Sequence, residues 1–219
     1  MFKFRLRFSK HGALRFIGHL DFLKVFQQTI RRAGLPAAYS QGFNPHLQLS
    51  FALPLPLGMA SENDYVDIIL VDEVPLQDIV DSLNTHAPAG LQMKAAYPVE
   101  GAGAAAIVEV GIYDLVVNIP MIEAKKMIAD IQERETIIIP KKTKSGIKDT
   151  DIKPDIHLLK AIQKDESMDR IQMWLSAGSS RFLNPMLVAE LMLGKKPSPA
   201  ALTRVNLCRH DGKGGIISL

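Results

Sequence analysis

Lys10, His11, Arg15, His19 and Asp21 fall within twelve residues, a mixture of cations and imidazoles suited to gripping an anion. Lys10 and Arg15 would supply charge and N–H donors. His19 would supply a group that exchanges protons near neutral pH. If these residues meet at the start of a helix, whose first backbone N–H groups are unpaired, they form a phosphate site. A carboxylate, a nucleotide or an RNA backbone would all fit it. Two chemistries remain open. Lys10, Arg15 and His19 either hold an anionic substrate, or they form a metal-independent RNA-cleaving site in which His19 or His11 shuttles protons and Lys10 stabilises the charged transition state. The plainer alternatives are a His19 that caps the helix or bonds Asp21, and cations that are merely solvated. His11, His19, His46 and Asp21 have the donor types for zinc, iron or manganese, but no histidine pair has the i, i+4 spacing of a helical site, so no metal and no cofactor is expected.

A second set lies at Tyr39, Phe43, Asn44 and His46, with Arg31 in the last turn of the preceding helical stretch. Gly42 and Asn44 tolerate positive φ and Pro45 stiffens the exit, while Tyr39 and Phe43 offer flat faces on which bases stack. The competing expectation is a structural loop with its aromatics in the core. Further along, Lys141, Lys142, Lys144 and Lys148 form a basic loop. Ser176-Ala-Gly-Ser-Ser-Arg181 has hydroxyls, Gly and Arg before a helix but lacks the Gly-Lys-Ser/Thr ending of a nucleotide-binding loop.

The elements that must position these residues can be read from periodicity. Phe2, Phe4, Leu6 and Phe8 alternate with Lys3, Arg5 and Arg7 over residues 2 to 9, the pattern of a half-buried strand. Leu20, Leu23, Phe26 and Ile30 recur at helical spacing between Gly18 and Ala33, and Gly34 and Pro36 end the run. Short β-like segments at 37–40 and 47–53, a strand at 65–71, a helix at 76–85 and a strand at 91–97 follow. The order β-α-β-β-α-β is the ferredoxin-like plan. Gly101-Ala-Gly-Ala-Ala-Ala is the boundary candidate. Beyond it come a strand at 107–119, a helix at 122–133, a strand at 136–139, the basic loop, an ambiguous segment at 156–164 that suits a short helix, a strand at 170–175, a helix at 185–193 capped by Asn184, and a strand at 202–208. The expected fold is α+β, two tandem ferredoxin-like (βαββαβ) domains over 1–100 and 107–219, the second with an insertion.

Composition narrows the class. Of 219 residues, 47% are apolar and 22% charged, which suits a folded globular chain. A single cysteine, Cys208, rules out a cluster or zinc site built from several thiolates of this chain and fits a reducing, cytoplasmic setting. No apolar run approaches the roughly 20 residues of a membrane span, and the N-terminus lacks a secretory pattern. The net charge of +3 hides an asymmetry. Residues 1–50 carry eight Lys/Arg against one acid, and residues 51–100 carry eight acids against Lys94. The basic stretch is either a footprint for a polyanion or the partner of the acidic stretch within the fold.

The runs Arg15-Phe-Ile-Gly-His-Leu-Asp-Phe-Leu, Arg31-Arg-Ala-Gly-Leu-Pro, Tyr39-Ser-Gln-Gly-Phe-Asn-Pro-His and Leu49-Ser-Phe-Ala-Leu-Pro-Leu-Pro-Leu-Gly resemble the radical-SAM-linked family of bacterial domains, with weaker echoes at Asp151-Ile-Lys-Pro and Asn184-Pro. The resemblance implies a domain fused to, or paired with, a radical-SAM enzyme. The Cys-x-x-x-Cys-x-x-Cys motif is absent, so any iron–sulfur chemistry would belong to a partner chain. The architecture also resembles the RNA-processing endonucleases of CRISPR systems, an analogy of fold alone. The resulting expectation is an accessory module that holds RNA or another anionic substrate for a separate, radical-SAM enzyme, with Lys10, Arg15, His19, Arg31, Tyr39, Phe43, Asn44 and His46 in contact. The alternative is an RNA endonuclease using His19, His11 and Lys10.

Overall fold

The alternation at the N-terminus becomes strand β1 (Phe2–Lys10), with Phe4, Leu6 and Phe8 on its buried face. The computed structural model describes residues 1–143, 146–163 and 169–219. Helix α1 (His19–Arg32) lays Phe22, Phe26 and Ile30 on that face, and α2 (Leu76–His86) adds Ile79, Val80 and Leu83. Phe8, Phe22, Phe26 and Phe51 stack with centroids 5.3–6.0 Å apart, and burying each such ring is worth about 2 kcal/mol. Strands β2 (Leu49–Phe51), β3 (Ala60–Leu70) and β4 (Leu91–Pro98) complete the first run. Its spatial order is β4-β1-β3, with β2 on the far edge of β3.

A short turn of helix, α3 (Ala104–Ile107), leads into β5 (Val110–Val117), α4 (Met121–Glu133), β6 (Ile138–Thr143), β7 (Gly146–Asp151), β8 (Ile156–Gln163), β9 (Asp169–Ser176), α5 (Pro185–Leu193), β10 (Leu202–His210) and β11 (Ile216–Ser218). The strands of this half run β10-β5-β9-β8, with β6 and β7 forming a separate two-stranded hairpin. A second core gathers Tyr113, Leu115, Ile128, Ile171, Met173, Leu175 and Val188 under α4 and α5. The halves are joined in one mixed sheet. The start of β3 pairs in parallel with the start of β10 through Ala60/Thr203 and Ser61/Arg204.

The segment at 156–164 is a strand rather than a short helix, through Gln163; Lys164 lies outside the described residues. Leu159 enters the core while Leu158 and Lys160 are exposed, a period of two. The basic stretch is the β6–β7 hairpin, with Lys141 paired to Lys148 in register, and Lys144 lies outside the described residues. Asn184 caps α5 as expected, its side chain accepting from Met186 N at 3.0 Å. The Gly/Ala run at 101–106 is docked. Ala104 N donates to Asp67 Oδ2 at 2.8 Å and Ala102 O accepts from Arg5 Nη2 at 3.4 Å. Among the described residues no helix is long and apolar enough to cross a membrane.

Candidate functional site

The structure does not assemble the Lys10–Asp21 set into a hollow. Lys10 shares the parity of Phe4, Leu6 and Phe8, so it points into the helix-covered face and is only 2% exposed. Its ammonium lies 4.4 Å from the Phe22 ring centroid and 3.4 Å from Ile17 O. Burial lowers its pKa below the ordinary lysine value, Asp64 pulls the other way, and Arg204 lowers it further. Arg15 ties loops together, donating to Gly58 O at 2.7 Å and Ala200 O at 2.9 Å. His11 lies 3.5 Å from Glu62, and its N–H bonds Gly90 O at 2.8 Å. His19 is exposed, with its ring edge-on to Phe51 at 5.5 Å, and Asp21 pairs with Lys24, not with His19. Gly18, not His19, is the N-cap of α1.

Some of the charges of the two stretches are taken up within the fold. Lys3 and Arg5 both pair with Asp67, at 3.4 and 2.8 Å, and Arg32 donates to His86 O. Asp64 goes to Arg204 on β10, which is 0% exposed and binds both carboxylate oxygens at 2.7 Å as well as Leu53 O and Pro54 O. Burial disfavours the Arg204 charge, but Asp64 and Tyr113 together raise its pKa. Of the eight acids in residues 51–100, Asp67 is thus paired with the basic stretch, Glu62 lies against His11 and Lys94, and Asp64 is held by Arg204 of the second half.

The second set keeps its surface position. Ala38 and Gln48 pair across a hairpin rooted on Ile69, closed by Ser40 N to His46 O at 2.8 Å and His46 N to Ser40 Oγ at 3.1 Å. At its tip Phe43 is fully exposed (106%), Asn44 and His46 are exposed, and Tyr39 at the root is 40% exposed. The expectation of core aromatics is therefore not met. The Arg31 side chain, at the exposed C-terminal end of α1, has no bonded partner among the described residues. Arg31 and His19 sit twelve residues apart on α1, about 18 Å at 1.5 Å per residue. Helix α1 therefore holds His19 and Arg31 apart.

Another constellation lies in the second half. A cavity of about 270 Å³ is lined by His157, Ser176, Gly178, Ser179, Ser180, Arg181 and His210, with Glu109, Pro154, Val108 and Ala106. His157 Nε2 is 3.1 Å from Ser176 Oγ, and its ring meets His210 edge-on at 5.9 Å. Arg181 Nε lies 2.7 Å from Asp155 Oδ1. Glu109 Oε2 accepts from His210 N at 2.7 Å. Burial, then His210, lowers the His157 pKa; Asp155 opposes this and Arg181 adds to it. The sequence marked the Ser176–Arg181 turn but neither histidine, which converge only once β8, β9 and β10 are placed. The one usable signal was the period of two around His157. Among the described residues no group of three or more His, Cys, Asp or Glu side chains could hold a metal ion.

The geometry defines a mixed α+β protein with one continuous sheet, a protruding aromatic hairpin and a histidine-lined cavity. The chain belongs to a family of uncharacterized proteins conserved in bacteria (DUF2344), whose model matches residues 3–185. No curated protein matches it.

Proposed function

We propose that this chain is an accessory binding module that holds RNA or another anionic substrate for a separate radical-SAM enzyme in the cytoplasm, with the 39–47 hairpin and Arg31 making the contact. The observation that carries the reading is the exposure of Phe43 on a hairpin closed by its own hydrogen bonds. At the hairpin tip the Phe43 ring is open to a stacking base on its face. Asn44 and His46 beside it supply polar edges, and Arg31 supplies an uncommitted charge. The radical-SAM partner rests on the resemblance of the sequence alone. We also read the two β-α-β-β-α-β runs as ferredoxin-like units joined edge to edge, with β6–β7 as the insertion; the repeated strand order supports this. The cleavage alternative has less support, since Lys10 is buried away from His11 and His19.

The test is RNA binding followed by fluorescence anisotropy, with small structured RNAs over a range of salt. Binding that weakens with salt, and by about tenfold in a Phe43→Ala/His46→Ala/Arg31→Ala variant, supports the module. Absence of binding at low salt, or cleavage lost in His19→Ala, overturns it. Co-purification with a radical-SAM chain checks the partner.

A further inference from the structure

Donors in the second-half cavity are left over after the fold has taken its share. Arg181 Nε forms an ion pair with Asp155 Oδ1 at 2.7 Å without hydrogen-bond geometry, and its two terminal nitrogens have no partner among the described residues. The Ser179 and Ser180 hydroxyls are likewise unpartnered there, on a turn held closed by the Ala177–Phe182 bridge and by Leu183 N to Ser176 O at 2.9 Å. The His210 ring makes an edge contact with His157, whose Nε2 faces Ser176 Oγ, and has no hydrogen-bond partner among the described residues. The nearby carboxylates are engaged: Asp155 is ion-paired with the guanidinium, Glu109 accepts from the His210 backbone N–H, Asp151 accepts from Ile137 N and Lys153 N, and Asp211 accepts from Lys213 N and Gly215 N. A planar cation fixed on one edge, two imidazoles and two free hydroxyls around one small cavity match an oxyanion with several acceptors.

We propose that this cavity binds a phosphate group, free or as the terminal phosphate of a nucleotide or oligonucleotide, between the Arg181 fork, the two imidazoles and the Ser179 and Ser180 hydroxyls. The site is independent of the hairpin reading. At about 270 Å³ it lies just below the size of ordinary small-ligand pockets, about 300 Å³ and upward, and fits a small group rather than a length of chain. Binding is linked to protons. A neutral imidazole donates through one nitrogen and an imidazolium through two. The charges around the two imidazoles and Arg181 are Asp155, Glu109, Asp211 and Asp151, and with both imidazoles neutral these carboxylates outweigh the single guanidinium. Phosphate therefore favours the protonated form of His157, which burial disfavours in its absence, and affinity rises as pH falls.

Histidine ring resonances followed by NMR during titration with inorganic phosphate test this, with chloride at matched ionic strength as the control. The expected result is a saturable shift of His157 and His210 with phosphate that tightens as pH is lowered. Arg181→Met, which removes a charge-assisted fork, should weaken it by about tenfold. Shifts that chloride reproduces, or Arg181→Met titrating as the parent does, overturn the site. If Arg181→Met lowers the melting temperature through Asp155, the exposed pair Ser179→Ala/Ser180→Ala decides alone: weakened phosphate binding supports the site and undiminished binding overturns it. A nucleoside monophosphate that binds more tightly than inorganic phosphate assigns the terminal phosphate; equal binding assigns the free ion.

Discussion

The Lys10–His19 segment and the His157–Arg181 cavity are built from the same residue types, yet the fold uses them in opposite ways. In the first, the ammonium is stacked on Phe22 and the guanidinium is bound to two carbonyls that lock loops together. In the second, one edge of a guanidinium is fixed and the other edge, with two hydroxyls, is left open. What separates a structural cation from a binding one is whether its hydrogen bonds are already satisfied. Position in the sequence decides this: Lys10 and Arg15 lie where the halves meet, whereas Arg181 lies on a turn at the end of β9.

The sharpest way to break the comparison is Arg204→Met. Removing one partner of a buried pair leaves Asp64 charged and uncompensated, and about 3–5 kcal/mol of stability is expected to go. Denaturant unfolding measures it, and the Asp64→Leu/Arg204→Met double variant should recover much of the loss. If Arg204→Met unfolds like the parent, the junction is not held by this pair. Next in size is Arg15→Ala, which strands Gly58 O and Ala200 O and should cost about 1–3 kcal/mol. The same variant should leave RNA affinity unchanged. Loss of affinity without loss of stability would return Arg15 to the ligand site.

Parity made part of this legible. Lys10 follows Phe4, Leu6 and Phe8 at even positions, so the alternation that reads as a strand also sends Lys10 inward. Clustering it with its neighbours in sequence obscured this. The long helices and the Asn184 cap follow from local periodicity and capping. The Arg204–Asp64 pair does not, because its members are separated by 140 residues and meet only through the parallel pairing of β3 with β10. His157 and His210 are hidden for the same reason. Their strands become neighbours of the Ser176 turn only through sheet order, which no local pattern carries.

Lys10→Met sharpens the comparison on a smaller scale. Burial holds the folded pKa of Lys10 below its unfolded value, so the unfolded chain binds the proton more tightly. Below both pKa values the penalty on the folded state is complete, and it fades as pH rises through the folded pKa toward the unfolded one. Methionine keeps the stem against Phe22 and removes the buried charge. A gain of up to about 1 kcal/mol is expected at neutral pH, shrinking in alkaline solution. A loss of that size would mean that the Phe22 and Ile17 O contacts outweigh desolvation.

Phe43→Ser should change stability least. The ring touches nothing that folding buries, so the unfolding midpoint should move by less than about 0.5 kcal/mol, and removal of an exposed aromatic should if anything favour the monomer. Binding is where the change should register. A stacked base is worth about 1–3 kcal/mol, so RNA affinity should fall by roughly fivefold to a hundredfold with little change in salt dependence, because no charge is removed. That pattern, an altered affinity with an unaltered fold and salt slope, is the inverse of what Arg15→Ala should give. The two variants measured side by side separate a residue held for the fold from one presented to a ligand. Equal affinities for parent and Phe43→Ser would leave the hairpin without a role in RNA binding, and the phosphate cavity of the second half would then stand alone as the anion site.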